Sequence, residues 1–350
     1  MSRSPLQWLE GGLTQVPGVQ VGHATDRDAE TGVTVVLFDA PAPGRAVLYG
    51  GGTSTRQFDT LSAGHVSGRV HGVCFAGGSA FGLAAGTGVA RFLARRGVGL
   101  PAGGAAIPSV PTAICFDLSA ITGGAPDAAM GEAACEAASR GPVEEGSCGA
   151  GTGARVGKCE GPARAMKGGV GSVAVALPGG FRVGVLVVVN AFGDVLDEDG
   201  RILAGLRDDR DPSRRVSSVD AILRRGRIQR YGESPANPVP ESTTLVLVAT
   251  DAPLCREDLA VVARLAMHGM VRAIRPVHTP VDGDLVIAVR SGGEGPGDGG
   301  QGARGPDATA AGLAAAEATA RAIRRAVRLA TGLGGTPAVG ELEAASAAPR

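Results

Sequence analysis

The sequence predicts an α/β fold built in layers, with strands pairing with strands and helices covering them, and not a regular βαβ alternation. Three observations lead there. β-branched apolar runs come in pairs, most clearly Val170–Leu177 and Phe181–Val195 around Pro178-Gly179-Gly180, a hairpin signal. The helical segments near the C-terminus are long and amphipathic. Glycine makes up 57 of 350 residues and gathers at the ends of apolar runs without a Gly-X-Y period, which fits tight turns and close backbone contacts and excludes collagen.

The elements follow in order. Val33–Asp39 (VTVVLFD) and Arg69–Gly78 (RVHGVCFAGG) read as strands, and Ser79–Gly97 continues with helical spacing. Asp127–Ser139 is a short Ala-rich helix, and the hairpin over 170–195 comes next. Thr243–Thr250 (TTLVLVAT) is a β-branched strand. Arg256–Ile274 is an amphipathic helix with Asp258 in its first turn and Arg272 in its last, matching the helix dipole. Asp284–Val289 is one more strand, and Ala308–Leu329 a long helix rich in Ala and Arg. Two stretches lack periodicity. Asp194–Glu241 is charged and then Pro-rich (Pro235, Pro238, Pro240), which predicts a long exposed loop over 207–241. Ser291–Gly305 reads as a flexible surface insertion, and residues 338–350 as a frayed end. No internal repeat is present.

Composition excludes several classes. At 44% apolar and 19% charged residues, the chain is not of disordered type. Lys plus Arg and Asp plus Glu are 34 each, which removes a global electrostatic case for nucleic acid or an anionic membrane. The longest apolar run, around Val183–Phe192, is interrupted by Asn190 and is too short for a span. Residues 1–12 hold Arg3 but no apolar core, so no signal peptide is expected and the expected location is cytoplasmic. The six cysteines (74, 115, 135, 148, 159, 255) form no C-x-x-C and no Cys/His spacing, and read as small buried hydrophobes. The five histidines are scattered, so no metal and no cofactor is expected. Gly77-Gly78-Ser79-Ala80-Phe81-Gly82 follows a strand and opens a helix, but it lacks the spacing of either nucleotide-binding glycine motif.

The junction Pro240-Glu241-Ser242-Thr243-Thr244 carries the functional argument. Alone it is an ordinary loop-to-strand entry. The segment Ser242–Leu254, however, resembles the region around the self-cleavage point of the P1-family hydrolases (peptidase family S58), which include L-aminopeptidase/D-esterases, β-aminopeptidases and 6-aminohexanoate-oligomer hydrolases. The resemblance extends over nearly the whole chain. It takes in Val16–Ala24, Gly77–Leu83 with Gly86, Lys167–Gly171, Asn190–Gly193 and Asp282–Ala288, in that order. It implies a four-layer αββα sandwich of the N-terminal-nucleophile type. Residues 1–350 would form a single domain, cut into 1–242 (α chain) and 243–350 (β chain). It also implies a small amide or peptide substrate and a homotetramer of cleaved protomers.

In that family the precursor cuts itself before a Ser or Thr that opens this strand. Counting back from Ala249-Thr250-Asp251-Ala252 places that residue at Thr243, after Ser242, with Thr244 and Ser242 as the neighbouring registers. The freed α-amine, with a pKa near 8, sits one residue from its own hydroxyl, so nucleophile and base come from one residue. Asp282 and Asp284 read by themselves as a D-G-D turn. Period-two spacing would point both to one side, and the resemblance assigns them to the site, one accepting from the Thr243 hydroxyl or ammonium. Lys167 reads by itself as a solvated lysine and by resemblance as an active-site cation. Asn190 caps a strand end or, by resemblance, supplies an oxyanion donor. Gly78, Ser79 and Phe116 border the substrate cleft by resemblance, with Phe116 standing where the family commonly has Tyr. Two other readings remain at this stage: an acyltransferase related to ornithine acetyltransferases, and an uncleaved binding protein that kept the scaffold.

Overall fold

The structure is a computed structural model and describes residues 6–118, 120–228, 242–292 and 305–347. Its principal strands are β1 (Val19–Asp26), β2 (Thr31–Leu48), β3 (Arg69–Ala76), β4 (Thr112–Ile114), β5 (Gly169–Ala176), β6 (Arg182–Asn190), β7 (Thr243–Thr250) and β8 (Leu285–Arg290). Its helices are α1 (Ala85–Arg95), α2 (Ala128–Glu136), α3 (Ser218–Arg225), α4 (Arg256–Ala273), α5 (Ala308–Arg328) and α6 (Val339–Ala347).

Strand β2 is 18 residues long and serves two sheets. Its first half pairs with β1 and β3, and its last residues, Gly44–Leu48, pair with β8. The register shifts between Leu37 and Ala42, beside Pro41 and Pro43. Proline has no N–H for a ladder, so the strand bends there and changes partners. One sheet then runs β5-β6-β7-β8-β2, and the other β1-β2-β3-β4.

Side-chain alternation sorts the residues into layers. Leu186, Val188, Leu245, Leu247, Leu285 and Ile287 of the first sheet meet Val36, Phe38, Val73 and Phe75 of the second in one core. Their alternating neighbours Val187, Val246, Val248 and Val286 pack on Leu259 and Val262 of α4 and Ile323 of α5. On the far side, Val33, Val35 and Cys74 pack on Val89 and Phe92 of α1 and Cys135 of α2. The order helix–sheet–sheet–helix is the expected αββα sandwich.

The structure corrects several local expectations. The strand pairs are not all antiparallel: β7 and β8 are parallel across the α4 crossover, and β3 and β4 are parallel across α1. The helix expected over 79–97 opens as a 3-10 turn, Ser79–Ala84, before α1. The loop expected over 207–241 contains α3, whose flank Val216, Ala221 and Ile222 covers Cys159, Phe192 and Leu206. Buried Asp194 fixes that segment, accepting from Leu206 N at 2.9 Å, Ser218 N at 2.7 Å and Ser218 Oγ at 2.7 Å. Residues 229–241 of that loop, and 293–304 of the expected insertion, lie outside the described residues. The C-terminal end forms α6 where fraying is expected, because Glu341 accepts from Gly332 N at 2.8 Å and Ala338 N at 3.1 Å. Among the described residues no helix is long and apolar enough to cross a membrane.

Candidate active site

Three strand ends meet at one edge of the first sheet. Residues of β7 and β8 pair in parallel at a constant offset of 40, from Leu245 opposite Leu285 to Thr250 opposite Arg290. The same offset continues past both strand starts, where Ser242 bridges Asp282. On the other side of β7, antiparallel β6 ends with Asn190 opposite Thr243. Pairing alone therefore brings together residues far apart in sequence: Asn190, Ser242-Thr243 and Asp282-Gly283-Asp284.

The Ser242–Thr243 peptide is buried and tightly held. The Thr243 hydroxyl donates to the Ser242 carbonyl oxygen at 2.6 Å. Gly283 N donates to the same oxygen at 2.9 Å. A Cβ at position 283 would stand 2.8 Å from Thr243 Oγ1, so the middle residue of the D-G-D turn has no room for a side chain. The Ser242 carbonyl is thus polarised by two donors, one of them the adjacent nucleophile candidate.

Asp282 and Asp284 take other partners than expected. Asp284 Oδ1 accepts from Thr244 N at 2.6 Å, one residue past Thr243. Its Oδ2 accepts from His278 N at 3.0 Å and lies 2.9 Å from His278 Nδ1. Asp282 Oδ2 accepts from Thr279 N at 2.9 Å and Thr279 Oγ1 at 2.6 Å, and Oδ1 accepts from Phe192 N at 3.3 Å. In the uncut chain the Thr243 hydroxyl points to the Ser242 carbonyl, so of the two expected donors to a carboxylate, hydroxyl or ammonium, the hydroxyl is taken elsewhere. Burial pushes the Asp282 carboxyl up to about 7, helped by the charge on Asp284 and opposed by the bonds from Thr279 and Phe192.

Asn190 is buried within a hydrogen-bond network. Its Oδ1 accepts from Arg155 N at 3.0 Å and Lys158 Nζ at 2.8 Å, its backbone oxygen accepts from Lys158 Nζ at 2.8 Å, and its Nδ2 donates to Phe116 O at 2.7 Å. Phe116 ties this network to the other cleft residues expected: Gly78 N donates to Asp117 Oδ1 at 2.7 Å, and Ser79 N donates to Cys115 O at 3.0 Å. Ser79 adopts φ +53, a left-handed conformation uncommon for a residue with a side chain.

The lysine in contact with Asn190 is Lys158. Lys167 Nζ donates to Thr152 O at 2.5 Å. The charges that act on Lys167 are those of Arg155, Glu30, Asp117 and Arg27, and burial above all pushes its ammonium down to about 7. Lys158 and Lys167 are the only two lysines of the sequence, and no spacing in it separates their roles. His278 and Thr279 were also missed. Their only signal is position, in the run His278-Thr279-Pro280-Val281-Asp282-Gly283-Asp284.

Residues 12–339 match the model of peptidase family S58. The chain belongs to that family. Membership places it among peptide- and amide-bond hydrolases. An uncharacterized aminopeptidase of Mycobacterium leprae (strain TN) is 38% identical over 301 residues, covering 80% of this chain and 78% of that one. A 6-aminohexanoate-oligomer endohydrolase of Agromyces sp. (strain KY5R) is 32% identical over 279 residues, covering 78% and 73%. The solved L-aminopeptidase D-Ala-esterase/amidase of Ochrobactrum anthropi, described as a variant of the Ntn hydrolase fold, superposes with a TM-score of 0.66 at 22% identity, over 95% of this chain and 91% of that one.

Two outcomes follow. Lys158→Met, which removes two bonds to Asn190, is expected to lower amide hydrolysis by roughly 10- to 100-fold, the range for a lost bond to a charged group, whereas Lys167→Met, removing a cation bonded to Thr152, costs less; initial rates of the two variants compare them. For Asp282, the folded chain keeps a proton that the unfolded chain, with an ordinary carboxyl near 3.8, releases at lower pH. That contribution is full below about 4 and lost as pH rises through about 7. Asp282→Asn, which cannot ionise, is therefore expected to gain thermal stability over the parent between pH 4 and pH 7, with the gain levelling off above that, as read from unfolding midpoints across the range.

Proposed function

We propose that the chain is a self-processing N-terminal-nucleophile hydrolase that cuts its own Ser242–Thr243 bond and then uses Thr243 to hydrolyse amide bonds of small amino-acid amides or oligomers. The observation that carries this reading is the 2.6 Å contact from the Thr243 hydroxyl to the Ser242 carbonyl oxygen, beside the 2.9 Å bond from Gly283 N.

In the cut, Thr243 Oγ1 attacks the Ser242 carbonyl carbon. Negative charge develops on the Ser242 oxygen, where Gly283 N–H already points, so the donor needs no reorganisation. The C–N bond breaks as the hydroxyl proton passes to the departing nitrogen, leaving an ester between Ser242 and the Thr243 oxygen and a free α-amine on Thr243. Water then opens the ester, releasing the Ser242 carboxylate and restoring the hydroxyl. The new amine lies where the peptide nitrogen was, beside Asp282 and Asp284 in the parallel pair. This reading gives the two carboxylates to the amine and the backbone around it, while the hydroxyl stays on the opposite side with Asn190.

In turnover the amine of Thr243 takes the proton of its own hydroxyl as the oxygen attacks the substrate carbonyl. The substrate amine leaves with a proton, and water releases the acid from the acyl-enzyme. Asn190 has a second amide N–H besides the one on Phe116 O, and Lys158 polarises that amide through Oδ1, which makes Asn190 the oxyanion donor of this step. The 6-aminohexanoate-oligomer endohydrolase relative supports amide-linked oligomers as substrates, and the aminopeptidase relatives support amides with a free amino end.

The test offers aminoacyl p-nitroanilides and short 6-aminohexanoate oligomers to the purified protein and to Thr243→Ala. The parent is expected to release amine and Thr243→Ala to lose at least about 1,000-fold of that rate. Equal rates in the two proteins would sink the assignment. Acyl transfer to an added amino acid in place of hydrolysis would favour the acyltransferase reading.

A further inference from the structure

We propose that His278 is a positioning residue for self-cleavage: its Nδ1–H holds the Asp284 carboxylate so that Asp284 in turn fixes the Thr244 amide and keeps the Ser242–Thr243 peptide in its attack geometry. The inference rests on Thr243 as the nucleophile and adds a residue to that reaction.

Asp284 is a hub of five polar contacts. Its Oδ1 takes the Thr244 amide at 2.6 Å, a short bond of the charge-assisted kind. Its Oδ2 takes both the backbone N and ring Nδ1 of His278, at 3.0 and 2.9 Å. Its backbone oxygen takes Tyr49 N at 3.0 Å and Gly50 N at 3.2 Å. A carboxylate accepts only, so the ring nitrogen facing it carries the proton. In the neutral ring Nε2 is then a bare lone pair. It is buried and has no partner among the described residues, so this tautomer strands no N–H.

The ring cannot swing away easily. It stacks on the Tyr49 ring with centroids 5.3 Å apart and planes at 29°, and Tyr49 is tied to the same aspartate through its own amide. His278 also sits at φ +58, a backbone conformation uncommon for a residue with a side chain and found where surroundings hold it in place. With Oδ2 occupied twice, Oδ1 is left to face Thr244. Thr244 lies on the strand directly after the nucleophile, so a shift in its amide moves the Thr243 hydroxyl relative to the Ser242 carbonyl. A displacement of that kind is costly in reactions governed by orientation.

The experiment compares three substitutions in the full chain. His278→Asn keeps an N–H close to the Nδ1 position and tolerates the left-handed backbone. His278→Gln puts its amide out at the Nε2 position, and His278→Ala has neither. Fresh protein is followed by intact mass for the appearance of the smaller fragment, and thermal unfolding reports on folding. The expected result is cleavage within about threefold of the parent for His278→Asn, and a slowing of roughly 10- to 100-fold for His278→Gln and His278→Ala, the range for a lost bond to a charged group. A His278→Ala chain that cuts as fast as the parent, or a His278→Gln chain rescued as fully as His278→Asn, overturns the proposal. A parent that never cuts overturns the nucleophile reading instead. The positioning contact is then judged by nitrogen NMR of 15N-histidine-labelled Thr243→Ala protein, where His278 should carry its proton on Nδ1, and by a Thr244 amide shifted far downfield that returns toward ordinary values in His278→Ala. An Nε2–H tautomer, or a Thr244 amide that His278→Ala leaves unmoved, contradicts it.

Discussion

The site depends on one register. Strands Thr243–Thr250 and Leu285–Arg290 lie parallel at an offset of 40, and that offset persists one step beyond both strands to Ser242 and Asp282. Parallel pairing needs a crossover, and helix Arg256–Ala273 supplies it, with Leu259, Val262 and Ala266 buried on the sheet. A one-residue slip would move Leu245 and Leu247 out of the core between the sheets. It would also take the Gly283 amide off the Ser242 carbonyl. Burial of ordinary leucines and valines therefore sets the polar contact on which the chemistry is proposed to turn.

The same alternation divides the site in two. Asn190 shares a ladder position with Thr243, and Lys158, Arg155 and Phe116 gather around its amide. Asp284 belongs to the Thr244 amide, with His278 behind it, and Asp282 to Thr279 and Phe192. In the proposed reaction the first group serves the charge on a carbonyl oxygen and the second the nitrogen. Burial, with the charge on Asp284 added, holds the Asp282 carboxyl above the usual carboxylate range.

Much of this was legible in the sequence, because it rests on local signals. β-branched runs marked the strands of the first sheet, and the Pro178-Gly179-Gly180 turn marked its hairpin. The order of five motifs marked the family. Parallel pairing was not legible: Thr243–Thr250 and Asp284–Val289 show the same apolar content whichever way their neighbour runs. Helix Ser218–Arg225 was hidden in a charged stretch because its apolar flank is short and is satisfied by Leu206 and Phe192 from elsewhere in the chain. The choice between Lys158 and Lys167 depends on which ammonium reaches Asn190, a matter of tertiary approach that neither flanking sequence encodes. His278 has the same character, since its role comes from a shared aspartate oxygen.

The central claim is that the 2.6 Å contact at Ser242 and Thr243 marks a bond the chain breaks itself. The most direct measurement is N-terminal sequencing of every fragment in the purified, denatured protein, with no substrate added. The account predicts a fragment that begins Thr243-Thr244-Leu245. A single full-length chain that stays whole on long incubation, or a fragment beginning at any other residue, would contradict it.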